Sequence, residues 1–464
     1  YAAQRSRRSL DDLIKNTPAD GLITGLSYVN SDLFAKEQTK TAIMHYDYMV
    51  LAGTQGINNH KKLDRMIDVI RGLKVPLIFF CEGGGGRPGD VDAGDQNIAG
   101  LNIPSFHDFA RLSGEVPLVG IGSGRLFAGN AALLGCCDVI IGTRDLNLGM
   151  GGPAMIEGGG LGVYKPEEVG PTSVQYPNGV IDILVDNEDD AIVIAKKYLS
   201  YFQGNLGSWE APEVENLRYV IPENRLEVYD IREVIDNIAD IGSVLEIKAG
   251  FAKGMFTGFI RVKGKPLGLI ANNPLFLAGA IDSDGADKAS RFIKLCENYN
   301  IPILSLCDTP GMMVGPEIEE TGLVRHCCRL FLAGANVTVP MMTIVLRKAY
   351  GLGAQAMAGG SFMAPQFVVG WPTAEIGAMG LEGAVKLGYR KELEAESDVE
   401  KKEKLFKKLV DDLYEKGKAI NAASLLEFDT VLDPIESRDW ISMVVESPIN
   451  SSEKVPKNRY IDSW

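Results

Sequence analysis

Leu63-Asp64-Arg65-Met66-Ile67, then Val75-Pro76-Leu77-Ile78-Phe79-Phe80-Cys81-Glu82 and the run Gly83 to Gly86, is the stretch that decides the fold, because the chain writes it twice. The second copy lies 226 residues on (289 − 63 = 226): Leu63, Met66, Ile67 and Ile70 become Ala289, Phe292, Ile293 and Cys296. Both sets fall at i, i+3, i+4, i+7, the apolar stripe of a helix. Val75-Pro76 becomes Ile301-Pro302, Cys81-Glu82 becomes Cys307-Asp308, and the glycines become Thr309-Pro310-Gly311. With a small drift, Val116-Pro117 pairs with Val339-Pro340, Ala128-Gly129 with Leu352-Gly353, and Gly149-Met150-Gly151 with Ala378-Met379-Gly380. So long a period means two domains of one fold rather than a solenoid. The division falls between 1–241 and 242–464.

Outward from the repeat, strands and helices alternate, which predicts an α/β fold with a largely parallel sheet. A strand pair is expected over 21–53, with apolar runs at Thr41–Met44 and Tyr48–Leu51. Helix 59–72 leads to strand 75–81, helix 105–112 to strand 116–121, and helix 127–135 to strand 138–142. Residues 185–240 form a joint that contains a helix from Ala191 to Phe202. The Gly/Pro-rich stretch 149–180 is too long to be filler and reads as a functional surface. The charged helical segment 391–417 reads as a solvated face, with a partner-binding arm as the alternative.

Net charge is 47 − 61 = −14 and no Lys/Arg-rich run exists, which argues against nucleic acid as a partner. No apolar run approaches the length of a membrane span. The chain opens on Tyr1 in an Arg-rich segment, as a fragment or processed subunit would. Seven cysteines lie in apolar surroundings or as the pairs Cys136-Cys137 and Cys327-Cys328. That pattern suits reduced thiols in a cytosolic or mitochondrial-matrix compartment. Glycine is over-represented, 52 of 464, and clusters at 83–89, 149–162 and 351–360, where backbone must turn sharply or approach a ligand.

Those clusters carry the chemistry. Gly83 to Arg87 follows an apolar strand, and Ala128-Gly129-Asn130 opens a helix. Exposed N–H groups at a helix start favour developing negative charge, such as a thioester enolate oxygen. The bland alternative is a tight turn plus a small-residue contact, and its recurrence at Gly311 and Gly353 weighs against that. In the second copy Arg347-Lys348-Ala349-Tyr350-Gly351-Leu352-Gly353 follows the apolar strand Met341–Leu346. Leu352 and Gly353 would offer the amides, and Arg347 and Lys348 can hold a carboxylate or phosphate. Other chemistries find little support. His326-Cys327-Cys328 lacks zinc-ligand spacing. Asp90-Val91-Asp92-Ala93-Gly94-Asp95 lacks the distal glutamate of a calcium loop. Gly122-Ser123-Gly124 is not in the register of a nucleophile elbow, and no phosphate-loop motif is present. Two backbone-donor sites facing each other would suit a reaction with two substrates.

These residues resemble the carboxyltransferase component of biotin-dependent acyl-CoA carboxylases, members of the crotonase-like fold. The resemblance runs from about residue 20 to 445. Its most specific stretches are Asn272-Asn273-Pro274, Cys307-Asp308-Thr309-Pro310-Gly311, Arg347 to Gly351, and Trp371-Pro372-Thr373-Ala374-Glu375-Ile376-Gly377-Ala378-Met379-Gly380. The first half departs further, with Gly83-Gly84-Gly85-Gly86-Arg87 in place of Ser-Gly-Gly-Ala-Arg. The pattern is most similar to the single-chain, multidomain acyl-CoA carboxylases.

The resemblance implies two tandem crotonase-like (ββα spiral) domains that move a carboxyl group from carboxybiotin to the α-carbon of an acyl-CoA. It implies Ala128 and Gly129 as the amides for the enolate oxygen, and Leu352 and Gly353 for the biotin ureido oxygen. Gly84, Gly85, Arg87, Gly151, Gly152, Arg347, Lys348, Tyr350, Gly377 and Met379 would bind substrate. It implies a separate biotin carboxyl carrier domain, a biotin carboxylase, and a homo-oligomer, a hexamer built from dimers, in which two subunits complete each site. No metal is expected. Open alternatives are a decarboxylase running in reverse, a hydratase or isomerase of the same fold, and a non-catalytic scaffold. Residues near 150–180 and 360–380 are expected to line the acyl pocket.

Overall fold

The structure, a computed structural model, describes residues 1–87, 89–92, 101–446, 460–462 and 464. Part of the acidic stretch 90–95 therefore lies outside the described residues; within it, Asp90 bonds Arg87 and Asp92 accepts from the Arg5 and Ser6 backbone. The chain divides into two compact units, one of 1–204 with 247–251, the other of 205–246 with the chain from 252 on to the last described helix.

In the first unit the stripe read from sequence forms helix α1 (Ile57–Leu73), which buries Leu63, Met66, Ile67 and Ile70. Each such side chain is worth about 1.5–3 kcal/mol on burial. The helix stops at Lys74, which turns left-handed at φ 52°. Strands β1 (Leu22–Tyr28) and β2 (Lys40–Tyr46) precede it as an antiparallel pair. The expected second run, Tyr48–Leu51, is a turn instead: the Asp47 carboxylate accepts from the Met49 N–H, and Leu51 and Ala52 both take positive φ. Strands β3 (Leu77–Phe80), β4 (Leu118–Gly122), β6 (Val139–Thr143) and β8 (Ile183–Val185) then add in parallel to β2. Between them β5 (Arg125–Phe127) and β7 (Asn147–Gly149) make a separate parallel pair, and helix α2 (Gly129–Gly135) starts where β5 ends. The stretch 149–180 is not all loop; it holds a helix at Pro153–Gly158 and another at Thr172–Gln175.

The second unit has the same order of elements. Strands β9 (Met255–Val262) and β10 (Lys265–Asn272) pair antiparallel; helix α4 (Ser283–Asn298) buries Ala289, Phe292, Ile293 and Cys296. Strands β11 (Ile303–Thr309), β12 (Met341–Tyr350) and β13 (Phe367–Gly370) follow in parallel, with β14 (Glu375–Gly377) pairing the end of β12. Here β12 runs unbroken for ten residues. The first unit interrupts the corresponding path at Gly124 (φ 55°), between β4 and β5.

The boundary differs from the expected 241/242. Helix α3 (Ile231–Ile238) buries Ile231, Val234, Ile235 and Ile238 in the same core as Phe256, Leu269, Leu304 and Ile344, so residues 205–241 belong with the second unit. The charged segment also differs from a purely solvated face. Its helix α7 (Val399–Gly417) packs Leu405, Leu409, Leu413 and Tyr414 around buried Tyr350, Leu381, Val385 and Val410.

Candidate active site

In the first unit the glycine run is a packing device. The N–H groups of Gly83, Gly84 and Gly85 donate to the Arg125 carbonyl, the Ala52 carbonyl and Asn130 Oδ1, at 3.0–3.1 Å. A Cβ on Gly83 would lie 2.3 Å from Asn130 Nδ2, and one on Gly85 2.5 Å from the Ala128 methyl. The N–H groups of Gly84 and Gly85 are thus engaged within the protein. Arg87 is engaged likewise. Its guanidinium, 4% exposed, bonds Asp20 Oδ1 (2.5 Å), Asp90, Thr54 Oγ1 (3.1 Å) and the Thr54 carbonyl (2.7 Å). With its charge and donors so engaged, it pins the turn.

The turn itself lies where β5 gives way to α2. Ala128 caps the helix at φ 53°, ψ −122°, and its N–H donates to the Gly149 carbonyl at 3.2 Å. That bond extends the β5–β7 ladder and occupies the Ala128 N–H. The amides left without a helical partner start at Gly129 and continue with Asn130. Gln55, buried, presses its side-chain oxygen against Gly129: a Cβ there would sit 2.2 Å from Oε1. Gly152 rests on the ring of Phe127, two residues before Gly129 in the chain, and Gly151 precedes Gly152.

The second unit builds the matching turn. Gly351 takes φ 56° directly after the last β12–β14 pair, Tyr350 with Gly377, and helix α6 (Gly351–Met357) follows. Leu352 and Gly353, within its first turn, lack helical acceptors for their N–H groups. Leu352 is 62% exposed. Gly353 packs on Gly311, with 2.7 Å between its Cβ position and the Gly311 backbone. A cavity of about 1210 Å³ opens here, lined among others by Leu352, Met363, Gly377, Met379, Leu413 and Lys416. Residues of the 360–380 region make up much of its lining.

Two buried carboxylates flank the strand end. Asp308, on β11, accepts from Arg347 Nε (3.0 Å), the Lys348 N–H (3.1 Å) and the Tyr229 hydroxyl (2.8 Å), with Lys348 Nζ at 3.5 Å. Arg347 also donates to the Glu227 carbonyl at 2.7 Å and stacks on Tyr229. Burial pushes the Lys348 ammonium below its usual pKa. Both cations thus face the Asp308 carboxylate within the protein. On the other side Tyr350 donates to Glu375 Oε1 at 2.5 Å. Glu375 lay inside a motif quoted from sequence but was not singled out; its only signal was a carboxylate in an otherwise apolar stretch. Asp287 Oδ2 accepts from His326 Nδ1 at 2.7 Å, and all seven cysteines are unpaired thiols. Among the described residues no group of three metal-ligating side chains forms, and no helix is long and apolar enough to cross a membrane.

Amides presented where a strand turns into a helix, beside a cavity, are an arrangement suited to steadying negative charge on a carbonyl oxygen. The comparisons specify the family. The chain belongs to the carboxyl transferase domain family, whose model matches residues 6–460. It is 31% identical to the methylmalonyl-CoA carboxyltransferase 12S subunit of Propionibacterium freudenreichii over 96% of this chain and 84% of that one. It is 30% identical to the propionyl-CoA carboxylase beta chain of Saccharopolyspora erythraea, over 95% and 82%. Among solved structures, a single-chain, multidomain long-chain acyl-CoA carboxylase superposes with a TM-score of 0.90 at 54% identity, covering 95% of this chain. This chain spans only 43% of that longer polypeptide. The transcarboxylase 12S structure, a hexamer with methylmalonyl-CoA bound, superposes with a TM-score of 0.82 at 30% identity. The expected class, a biotin-dependent acyl-CoA carboxyltransferase, is thus the class of these relatives.

Proposed function

We propose that the two units are copies of one crotonase-like domain, each contributing one amide turn to carboxyl transfer between a biotin group and an acyl-CoA. The carrying observation is the repeated turn: a positive φ at Ala128 and at Gly351, each at the end of a parallel strand pair and each followed by helix amides without internal acceptors. In this reading Gly129 and Asn130 hold the thioester oxygen as negative charge develops on it. Leu352 and Gly353 hold the ureido oxygen of biotin, which their donors fit because that oxygen is an acceptor only. Bound carboxybiotin supplies CO2 and a ring nitrogen able to take the substrate's α-proton. With the base supplied in this way, the amide turns need no general base of their own. The chain's own contribution is fixed dipoles, water exclusion by the apolar lining, and alignment.

The finer parts of the reading follow the relatives. A carrier domain and a biotin carboxylase are the partners, two subunits complete each site, and a hexamer is the assembly, like that of the transcarboxylase 12S protein. The long-chain substrate of the 54%-identical relative makes a long acyl-CoA the first candidate. Transfer in the decarboxylating direction would use the same amides.

Leu352→Pro tests the reading. Proline is accommodated in a first helical turn and removes the N–H. A turnover loss of ~100- to 1000-fold, the usual effect of deleting one such donor, is expected at near-normal thermal stability. Wild-type turnover between free biotin and a carboxylated acyl-CoA would refute the amide assignment.

A further inference from the structure

We propose that Glu375 is a positioning residue for carboxyl transfer, acting through the Tyr350 hydroxyl to hold the Leu352–Gly353 amides on target. The inference rests on the reading of that turn given above. Tyr350 is the last residue before the turn, and its ring is buried. Its hydroxyl reaches across to Glu375 Oε1 at 2.5 Å, although its own β14 partner in register is Gly377 and Glu375 pairs with Lys348. The ring is wedged in place, since a Cβ on Gly377 would stand 3.3 Å from Tyr350 Cδ1. The next residue is as tightly set: a Cβ on Gly351 would be 2.9 Å from the Ala378 carbonyl oxygen. The backbone from 350 to 351 is thus registered against 377 to 378, and the phenol–carboxylate bond adds a side-chain tie across that seam to the strand ladder.

Glu375 makes a poor stabilising device. It is 1% exposed, and its Oε2 has no hydrogen-bond partner among the described residues. The guanidinium of Arg225 stands off at 3.8 Å and bonds Glu382 instead, at 2.8 Å. A buried oxygen left unmatched costs stability, and an apolar side chain of similar size would fill the space more cheaply. Helix α7 nevertheless closes over the site: Tyr414 stacks on Arg225, and Lys418 bridges Glu375 through the backbone. What the carboxyl group adds is an acceptor that fixes the tyrosine's position. A shift of about 1 Å at reacting groups can cost ~100-fold in rate, so rigidity at this seam has kinetic value out of proportion to its energy.

The test compares Tyr350→Phe, Glu375→Leu and Glu375→Gln with Leu352→Pro. Turnover is measured between free biotin and whichever of a panel of carboxylated acyl-CoAs the wild type uses best. Tyr350→Phe and Glu375→Leu should each lower kcat about tenfold while KM for the acyl-CoA and the melting temperature stay near wild type. Glu375→Gln, whose amide oxygen still accepts from the phenol, should keep wild-type kcat. The double variant Tyr350→Phe/Glu375→Leu should be no worse than either single change. Wild-type kcat in Tyr350→Phe, with Leu352→Pro inactive, would overturn the role of Glu375 and leave the amide reading standing. An active Leu352→Pro would overturn the amide reading itself. Should Glu375→Leu not fold, Tyr350→Phe decides alone, since it deletes one oxygen and nothing else.

Discussion

The turn at Ala128 and the turn at Gly351 occupy the same place in their units and solve the same backbone problem with different residues. Both need a left-handed φ, 53° and 56°. The second uses glycine, which adopts it without strain; the first uses alanine, whose methyl crowds the following carbonyl. The first is also the turn with the heavier scaffold. Gly83, Gly84, Gly85, Asn130, Gln55 and the Arg87 ion cluster all brace it, whereas the second leans on two carboxylates and a helix. The difference teaches that a strained residue can be retained when its surroundings leave it no alternative.

The comparison breaks first at Arg87. Arg87→Ala strands buried Asp20 and Asp90 and should cost about 3–5 kcal/mol in chemical denaturation. A loss under about 1 kcal/mol would mean that the brace is ornamental. Next comes Gly351→Ala, which puts a methyl 2.9 Å from the Ala378 oxygen at φ 56°. We expect a loss of about 1–3 kcal/mol in stability, read by thermal unfolding. The mirror change, Ala128→Gly, should relieve strain and stabilise by about 1 kcal/mol, a gain that a relaxed alanine would not show.

The smallest effect is in pH dependence. Burial raises the pKa of Glu82, beside the first turn, and of Glu375, beside the second, above the usual 4.5. A carboxyl raised on folding binds its proton more tightly in the native state. Its contribution is therefore present below the unfolded value and lost as pH rises through the folded one. Glu82→Gln and Glu375→Gln should each flatten the fall in unfolding free energy between pH 4.5 and neutrality. Curves parallel to wild type would deny the burial effect.

Much of the architecture was legible because it is periodic. The stripes at Leu63–Ile70 and Ala289–Cys296, and the strands after them, stand where spacing put them. The catalytic register was not legible to the residue. Matching by type sets Ala128-Gly129 against Leu352-Gly353. Matching by geometry sets Ala128 against Gly351, because the Gly149 carbonyl has already taken the Ala128 N–H. A hydrogen bond formed by residues 21 apart (149 − 128) leaves no trace in local sequence. The same holds for Arg87, Arg347 and Lys348. Sequence shows a cation near glycines; only folding shows that Asp20, Asp90 or Asp308 reached it first.

Helix α7 alters how this protein should be engineered. On composition, residues 399–417 are the natural place to trim, tag or graft, since most of their side chains are charged. Yet their inner face is the roof over Tyr350, and Leu413 and Lys416 form part of the wall of the neighbouring chamber. A shortened variant would expose the underside of the Tyr350 turn to water, so a fusion partner belongs at a different address.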